Sequence, residues 1–171
     1  ASDSEWGSIS LEGLLQYLCE NSTEFTELIR ATLQISHDRL SMILYCDGVT
    51  PGNALAPDNK RKSLWWYASF LEFGTLLSCE ECWLTLACAT TIWTKSNPAG
   101  VSGLTRRLLR NLFIQQGVAT KGLQLLGRTV HVSFHAMLGD EEALNAMLHT
   151  KGASGPVPCA ALCCVVAKPL A

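Results

Sequence analysis

The chain has 171 residues, a length that suits one domain, and 48% of them are hydrophobic, which is ordinary for a globular core. No apolar run reaches the roughly 20 residues of a membrane-spanning helix, and Ala1–Ser8 is polar and acidic rather than basic and then apolar, so neither a membrane span nor a secretory signal is expected. A net charge of −2 excludes no partner, because clustered basic residues hold nucleic acid even on an acidic chain.

In chain order, the first segment, Ser10 to Leu33, is helical in pattern. Leu11, Leu14, Leu15 and Leu18, then Phe25, Leu28, Ile29 and Leu33, recur at the three-and-four spacing of an amphipathic helix. Asn21-Ser22 is expected to divide it, with Ser22 or Thr23 capping the second half. Leu40 to Cys46 is short, apolar and followed by Asp47-Gly48, which predicts a buried strand and then a loop. Residues 52–62 read as a loop with a basic end, and the aromatic-rich Ser63 to Phe73 reads as a second strand.

Ser78 and Glu81 have the spacing of a capping box. The stretch from Trp83 to Trp93 is ambiguous, and its Thr-rich half, Ala89 to Trp93, tilts toward strand. After the turn at Asn97-Pro98-Ala99-Gly100, Val101 to Gln116 predicts a helix with Arg106, Arg107 and Arg110 off its apolar stripe. Thr129 to Phe134 alternates as a strand does, Asp140 opens a helix over Ala143 to His149, and a Gly/Pro-containing tail follows. This succession fits a mixed α/β fold, a sheet covered by helices.

Two acidic residues, Asp47 and Asp140, follow predicted buried strands. Ligands of open α/β sheets sit at the carboxyl ends of strands, and paired carboxylates there bind hard divalent cations and support phosphodiester cleavage. The plainer alternative is equally physical. Asp47-Gly48 is a turn dipeptide, and Asp140 is a helix N-cap whose neighbours Glu141 and Glu142 favour the positive helix end.

The segments LSMILYCDGVTPGN, RKSLWWYASFLEFG and GVSGLTRRLLRNLF, followed by GVATKGLQLLGRTVHVSFHAMLGDEEALNAMLHTKGASG and PCAALCC, resemble in order and spacing the catalytic core of CACTA (En/Spm)-type transposases. The resemblance covers roughly residues 40 to 164. It implies an RNase H-like mixed sheet flanked by helices, with Mg²⁺ or Mn²⁺ held by Asp47 and Asp140, DNA as partner and a nuclear or otherwise intracellular setting. It further implies a third Asp or Glu on a later helix, beyond a cysteine-containing insertion. The expectation is therefore a core fragment, incomplete at its C-terminus and inactive alone: a helical segment over 1–39, the core over 40–150, and the start of the insertion or a loose tail over 151–171.

Eight cysteines, most in apolar stretches, read as reduced, buried hydrophobes. Cys159 and Cys163, separated by three residues where the resembled pattern is Cys-x-x-Cys, supply at most half of a tetrahedral zinc site. Cys79 and Cys82 have the right spacing but fall at a helix start. Arg106, Arg107 and Arg110, with Lys60, Arg61 and Lys62, are the basic clusters suited to phosphates, against the alternative of a solvated helix face and a polar loop. Trp65, Trp66, Trp83 and Trp93 read as core before base-stacking platforms, and His131 and His135 have no nucleophile partner that would make a triad. Two readings compete with the metal-dependent core: the same fold kept as a non-catalytic DNA- or protein-binding module, and an unrelated small α/β domain whose aspartates are turns and caps.

Overall fold

The computed structural model describes residues 7–50 and 62–148; the predicted basic loop, with Lys60 and Arg61, and the tail bearing Cys159 and Cys163 lie outside them. Helices α1 (Leu11–Asn21) and α2 (Thr23–Ser36) are divided where expected. The Ser22 side chain accepts a hydrogen bond from the Phe25 N–H at 3.1 Å, satisfying an amide that has no partner within the helix. Helix α2 ends on His37 in the left-handed region, φ 52°, and Asp38 follows at φ 61°.

Strand β1 (Arg39–Val49) is longer than the apolar run that predicts it, so Asp47 lies within the strand, opposite Trp65, rather than in a loop after it. Strand β2 (Ser63–Phe70) stops three residues short of the predicted Phe73, and the chain turns through a 3₁₀ segment, Leu71–Ser78. The expected capping box does not form. A second short 3₁₀ turn, Glu80–Cys82, starts from Cys79 without a side-chain cap, and the Ser78 hydroxyl donates to Thr75 O instead. Strand β3 (Leu84–Thr90) ends inside the Thr-rich stretch, where the Thr90 hydroxyl accepts from the Trp93 N–H and starts helix α3 (Thr91–Ser96) in place of the expected strand.

Helix α4 (Gly100–Arg110) continues as a π-turn over Asn111–Gln115. That widened turn directs the Gln116 side chain to accept from the Leu11 N–H at 3.3 Å, so the end of α4 caps the start of α1. Strand β4 (Leu123–Leu125) and strand β5 (Arg128–Leu138) form a tight hairpin, with Leu126 at φ 51° and Gly127 at φ 75° in its two-residue loop. Helix α5 (Glu141–Leu148) completes the described chain.

The five strands form one mixed sheet in the order β3-β2-β1-β5-β4. Neighbours are antiparallel except β1 and β5, which run parallel. Because side chains alternate along a strand, the sheet has two unlike faces. One carries Leu40, Met42, Leu44 and Cys46 of β1 beside Phe70, Ala68 and Trp66 of β2, all fully buried. Leu11 and Leu15 of α1, Ile29 and Leu33 of α2, Leu104 and Leu108 of α4 and Met147 of α5 belong to the same apolar cluster. The buried indole N–H of Trp66 donates to the Thr105 hydroxyl of α4 at 3.0 Å, pinning helix to sheet.

The other face carries Ile43, Tyr45 and Asp47 opposite Ser69, Tyr67 and Trp65. Residues 71–83 fold over its Ile43–Ser69 half: Ser69 is buried and its hydroxyl donates to Cys82 O at 2.8 Å. Tyr45, Asp47, Trp65 and Tyr67 remain half-exposed. No helix among the described residues is long and apolar enough to cross a membrane.

Candidate active site

Parallel pairing of β1 with β5 brings the two carboxylates to one end of the sheet. The register contains a bulge: Met42 faces Phe134, Ile43 faces Ala136, and His135 has no counterpart. The extra residue reverses the phase of β5. Val130 and Val132 point into the core before it, whereas after it Met137 packs against the core and Leu138 pairs with Tyr45 on the open face. The chain therefore leaves β5 on the Asp47 side. Gly139 allows a close exit, since a Cβ there would stand 3.2 Å from Cys46 O and from the Ala143 Cβ.

Asp140 then starts α5, its Oδ1 accepting from the Ala143 N–H at 2.7 Å. It is the predicted N-cap, and it also lines one cavity of about 860 Å³ together with Asp47. Tyr45, Tyr67, Glu80, Trp83, Leu138 and Gly139 complete the walls. Asp47 Oδ1 accepts from the Gly48 N–H at 2.7 Å, and Tyr45 lines the cavity beside the same carboxylate. An ionised carboxylate accepts about four hydrogen bonds, so among the described residues its other capacity is left for a ligand.

The electrostatics of the site show in its neighbours. Burial, reinforced by the charges of Asp47 and Asp140, pushes the Cys46 thiol up to about 12. The Tyr45 hydroxyl is raised by partial burial, then by the charge and hydrogen bond of Asp47, and Asp140 adds to it; Tyr67 is raised by burial and by Asp47. Among the described residues no basic side chain lines this cavity. A negative, ring-walled pocket of this kind has the chemistry to attract a cation.

Glu80 and Trp83 come from the turn before β3 and escape a reading of the sequence. Nothing local to CEECW signals that residues 71–83 fold back over β1, although the Trp83 indole N–H, donating to Leu77 O at 2.9 Å, holds that turn in place. Glu80 adds a third carboxylate to the walls, yet no three His, Cys, Asp or Glu among the described residues are placed to hold one metal ion together. The Cys79–Cys82 pair accordingly has no further ligands among them, and Cys82 is buried.

The basic residues divide. Lys62 lines a second cleft, of about 440 Å³, that also reaches Asp140 and includes Lys95, a lysine that sequence reasoning did not single out. Arg106, Arg107 and Arg110 are exposed on α4, and Arg106 and Arg110 border a separate apolar groove with Phe113, Phe134 and Met147. Of the four tryptophans read as core, Trp66 is fully buried while Trp65, Trp83 and Trp93 are half-buried. His131 and His135 are exposed, and the His131 ring nitrogen Nδ1 lies 3.1 Å from Ala119 O. Compared with protein-family models, curated proteins and solved structures, the chain matches none of them.

Proposed function

We propose that this chain is a fragment of a divalent-metal-dependent DNA strand-cleavage and transfer core, RNase H-like and of the CACTA transposase kind. The observation that carries the reading is the meeting of Asp47 and Asp140, ninety-three residues apart in sequence, on one cavity at the ends of adjacent parallel strands. The neighbouring placement of β1 and β5 in one sheet is what the resembled core requires.

The residues present fit a hard cation held in part. Mg²⁺ is commonly bound by one or two carboxylates, with water and substrate phosphate completing six oxygens. Asp47 and Asp140 are those two, and each gives one oxygen to a backbone N–H that fixes its direction. Bound there, an ion would activate a water and neutralise charge on a phosphodiester. The Gly48 N–H orients the Asp47 carboxylate, and the rings of Tyr45, Tyr67 and Trp83 limit water around it. With two such ligands the fragment is expected to hold the ion weakly and to cut DNA poorly.

Mn²⁺ titration monitored by paramagnetic broadening of the Tyr45 ring resonances tests this. The expected result is weak, saturable broadening, lost in Asp47→Asn and reduced in Asp140→Asn. Broadening that survives both substitutions ends the proposal. Robust DNA cleavage by the purified chain, abolished by Asp47→Ala, would instead overturn the expectation that the site is incomplete.

A further inference from the structure

The open half of the sheet face carries a continuous row of rings. Trp65 stacks on Tyr67 with centroids 6.4 Å apart and planes 12° apart. Tyr67 stacks on Tyr45 at 6.0 Å and 25°, and Trp83 meets Tyr45 edge-on at 5.7 Å. All four rings are half-buried, so each keeps exposed surface. A hydrophobic row needed only for packing would sit on the core face, which Trp66, Phe70 and Ala68 already fill.

Phosphate-binding chemistry lies on the other side of Asp140. Lys62 and Lys95 line the adjoining cleft, with Asn97, Thr91 and Ser102 as neutral hydrogen-bonding groups. Gly48 makes room for the first lysine, because a Cβ there would come within 2.6 Å of Lys62 Cε. The Lys62 side chain thus lies against β1 at Gly48, on the sheet face opposite Asp47 and the rings. Asp140 lines both cavities, so rings on one face and ammonium groups on the other form one track that turns round the end of the sheet at the carboxylates.

From this juxtaposition we infer that the site takes an unpaired nucleic-acid strand, its bases stacked along Trp65, Tyr67, Tyr45 and Trp83 and its phosphates led past Lys62 and Lys95. The inference rests on the reading of Asp47 and Asp140 as the metal-bearing end, and names the form of substrate that reading leaves open. Duplex cannot use the rings, since its bases are already stacked on one another and only base edges reach the grooves. Single strands bind through stacking on aromatic side chains and through a positive groove that follows the backbone. The charges agree, because the ring-walled cavity is negative and would repel phosphates while accepting neutral bases.

The test is fluorescence anisotropy with labelled oligothymidylate and oligouridylate of roughly a dozen nucleotides, against a duplex of equal length, first in EDTA and then in Ca²⁺. Expected in EDTA is a preference for the unpaired strand of about 10-fold or more over duplex. Trp65→Ala and Tyr67→Ala each weaken single-strand binding by about 5- to 100-fold, as the loss of one stacked base would, while Trp65→Phe and Tyr67→Phe, which keep a ring and the fold, retain most of it. Lys95→Gln, an exposed change on α3, lowers the salt dependence of log K by about 0.7, the share of one phosphate contact.

Equal affinity for duplex, or alanine variants that are folded by circular dichroism and bind as well as the parent, overturns the inference. The ribose and deoxyribose probes decide which sugar the track prefers. The Ca²⁺ arm reports separately on the metal: added affinity that vanishes in Asp47→Asn supports the ion at that carboxylate. Preference for single strands without any Ca²⁺ effect sustains the track while removing the metal from it.

Discussion

Asp140 has two tasks that substitution separates. As N-cap of α5 it satisfies the Ala143 N–H, so Asp140→Ala is expected to cost about 1 kcal/mol of stability whatever the chemistry. Asp140→Asn keeps a good cap but not the charge, and should leave the urea midpoint near that of the parent while reducing Mn²⁺ binding; a midpoint as low as that of Asp140→Ala would mean the cap depends on charge. Cys46 makes a second prediction. A thiol raised from 9.0 to about 12 by burial and by Asp47 and Asp140 contributes stability that is fully present below pH 9.0 and lost as pH rises toward 12. Tyr45 and Tyr67, raised in the same direction, steepen the alkaline fall above their ordinary 10.0. Denaturation midpoints across that range should fall less in Cys46→Ala, and iodoacetamide should label exposed Cys88 long before fully buried Cys46. The two aspartates could be picked out from sequence because each borders a strongly patterned strand. Glu80 and Trp83 could not, because they reach the site through a turn whose direction is set by packing, nor could Lys95, which sits on helix α3 where the Thr-rich pattern reads as strand.

Among the elements, legibility followed how local the determining interaction is. The break between α1 and α2 is made by one side chain, Ser22, acting three residues away, and both helices stand where periodicity puts them. The bulge at His135 is fixed only when β5 is laid against β1, so no pattern within Thr129 to Phe134 reveals it. The β4 strand is three residues long, and its loop uses Leu126 where Asn or Gly is usual. A left-handed conformation costs a leucine about 1 kcal/mol or more, so Leu126→Asn is expected to raise stability by about that much, seen as a higher thermal midpoint. No gain would show that the contacts of Leu126 beside Leu33 and Arg128 outweigh the backbone term. Between elements, Thr105→Val removes the acceptor that the Trp66 indole uses at full burial and should cost about 1–3 kcal/mol. A loss below a few tenths would mean that this hydrogen bond does not anchor α4.

For the whole molecule, the mixed α/β class follows from the alternation of patterned segments, whereas the strand order β3-β2-β1-β5-β4 does not, since it depends on which strand β5 joins after the long connection through α3 and α4. The result is a sheet with one face sealed by helices and the other half-covered, and the candidate site sits on the uncovered part. The first helix and the residues leading into it tie one edge of the sheet to the other. The Ile9 N–H donates to Leu86 O of β3, the Leu11 N–H to Gln116, and the Gln16 side chain to Gln124 O of β4. On the ribosome this has a temporal meaning. Helices α1 and α2 are made first, but the partners of Leu11 and Gln16 lie 105 and 108 residues later, and Arg39 at the start of β1 waits 92 residues for His131 of β5. Contacts of such sequence separation cannot lock until the late segment emerges. A nascent chain halted at Leu125 should therefore remain protease-sensitive along its whole length, and resistance should arise in one step once β5 has cleared the exit tunnel. Until then α1 has its leucines exposed, which makes it the segment a trigger-type chaperone would hold.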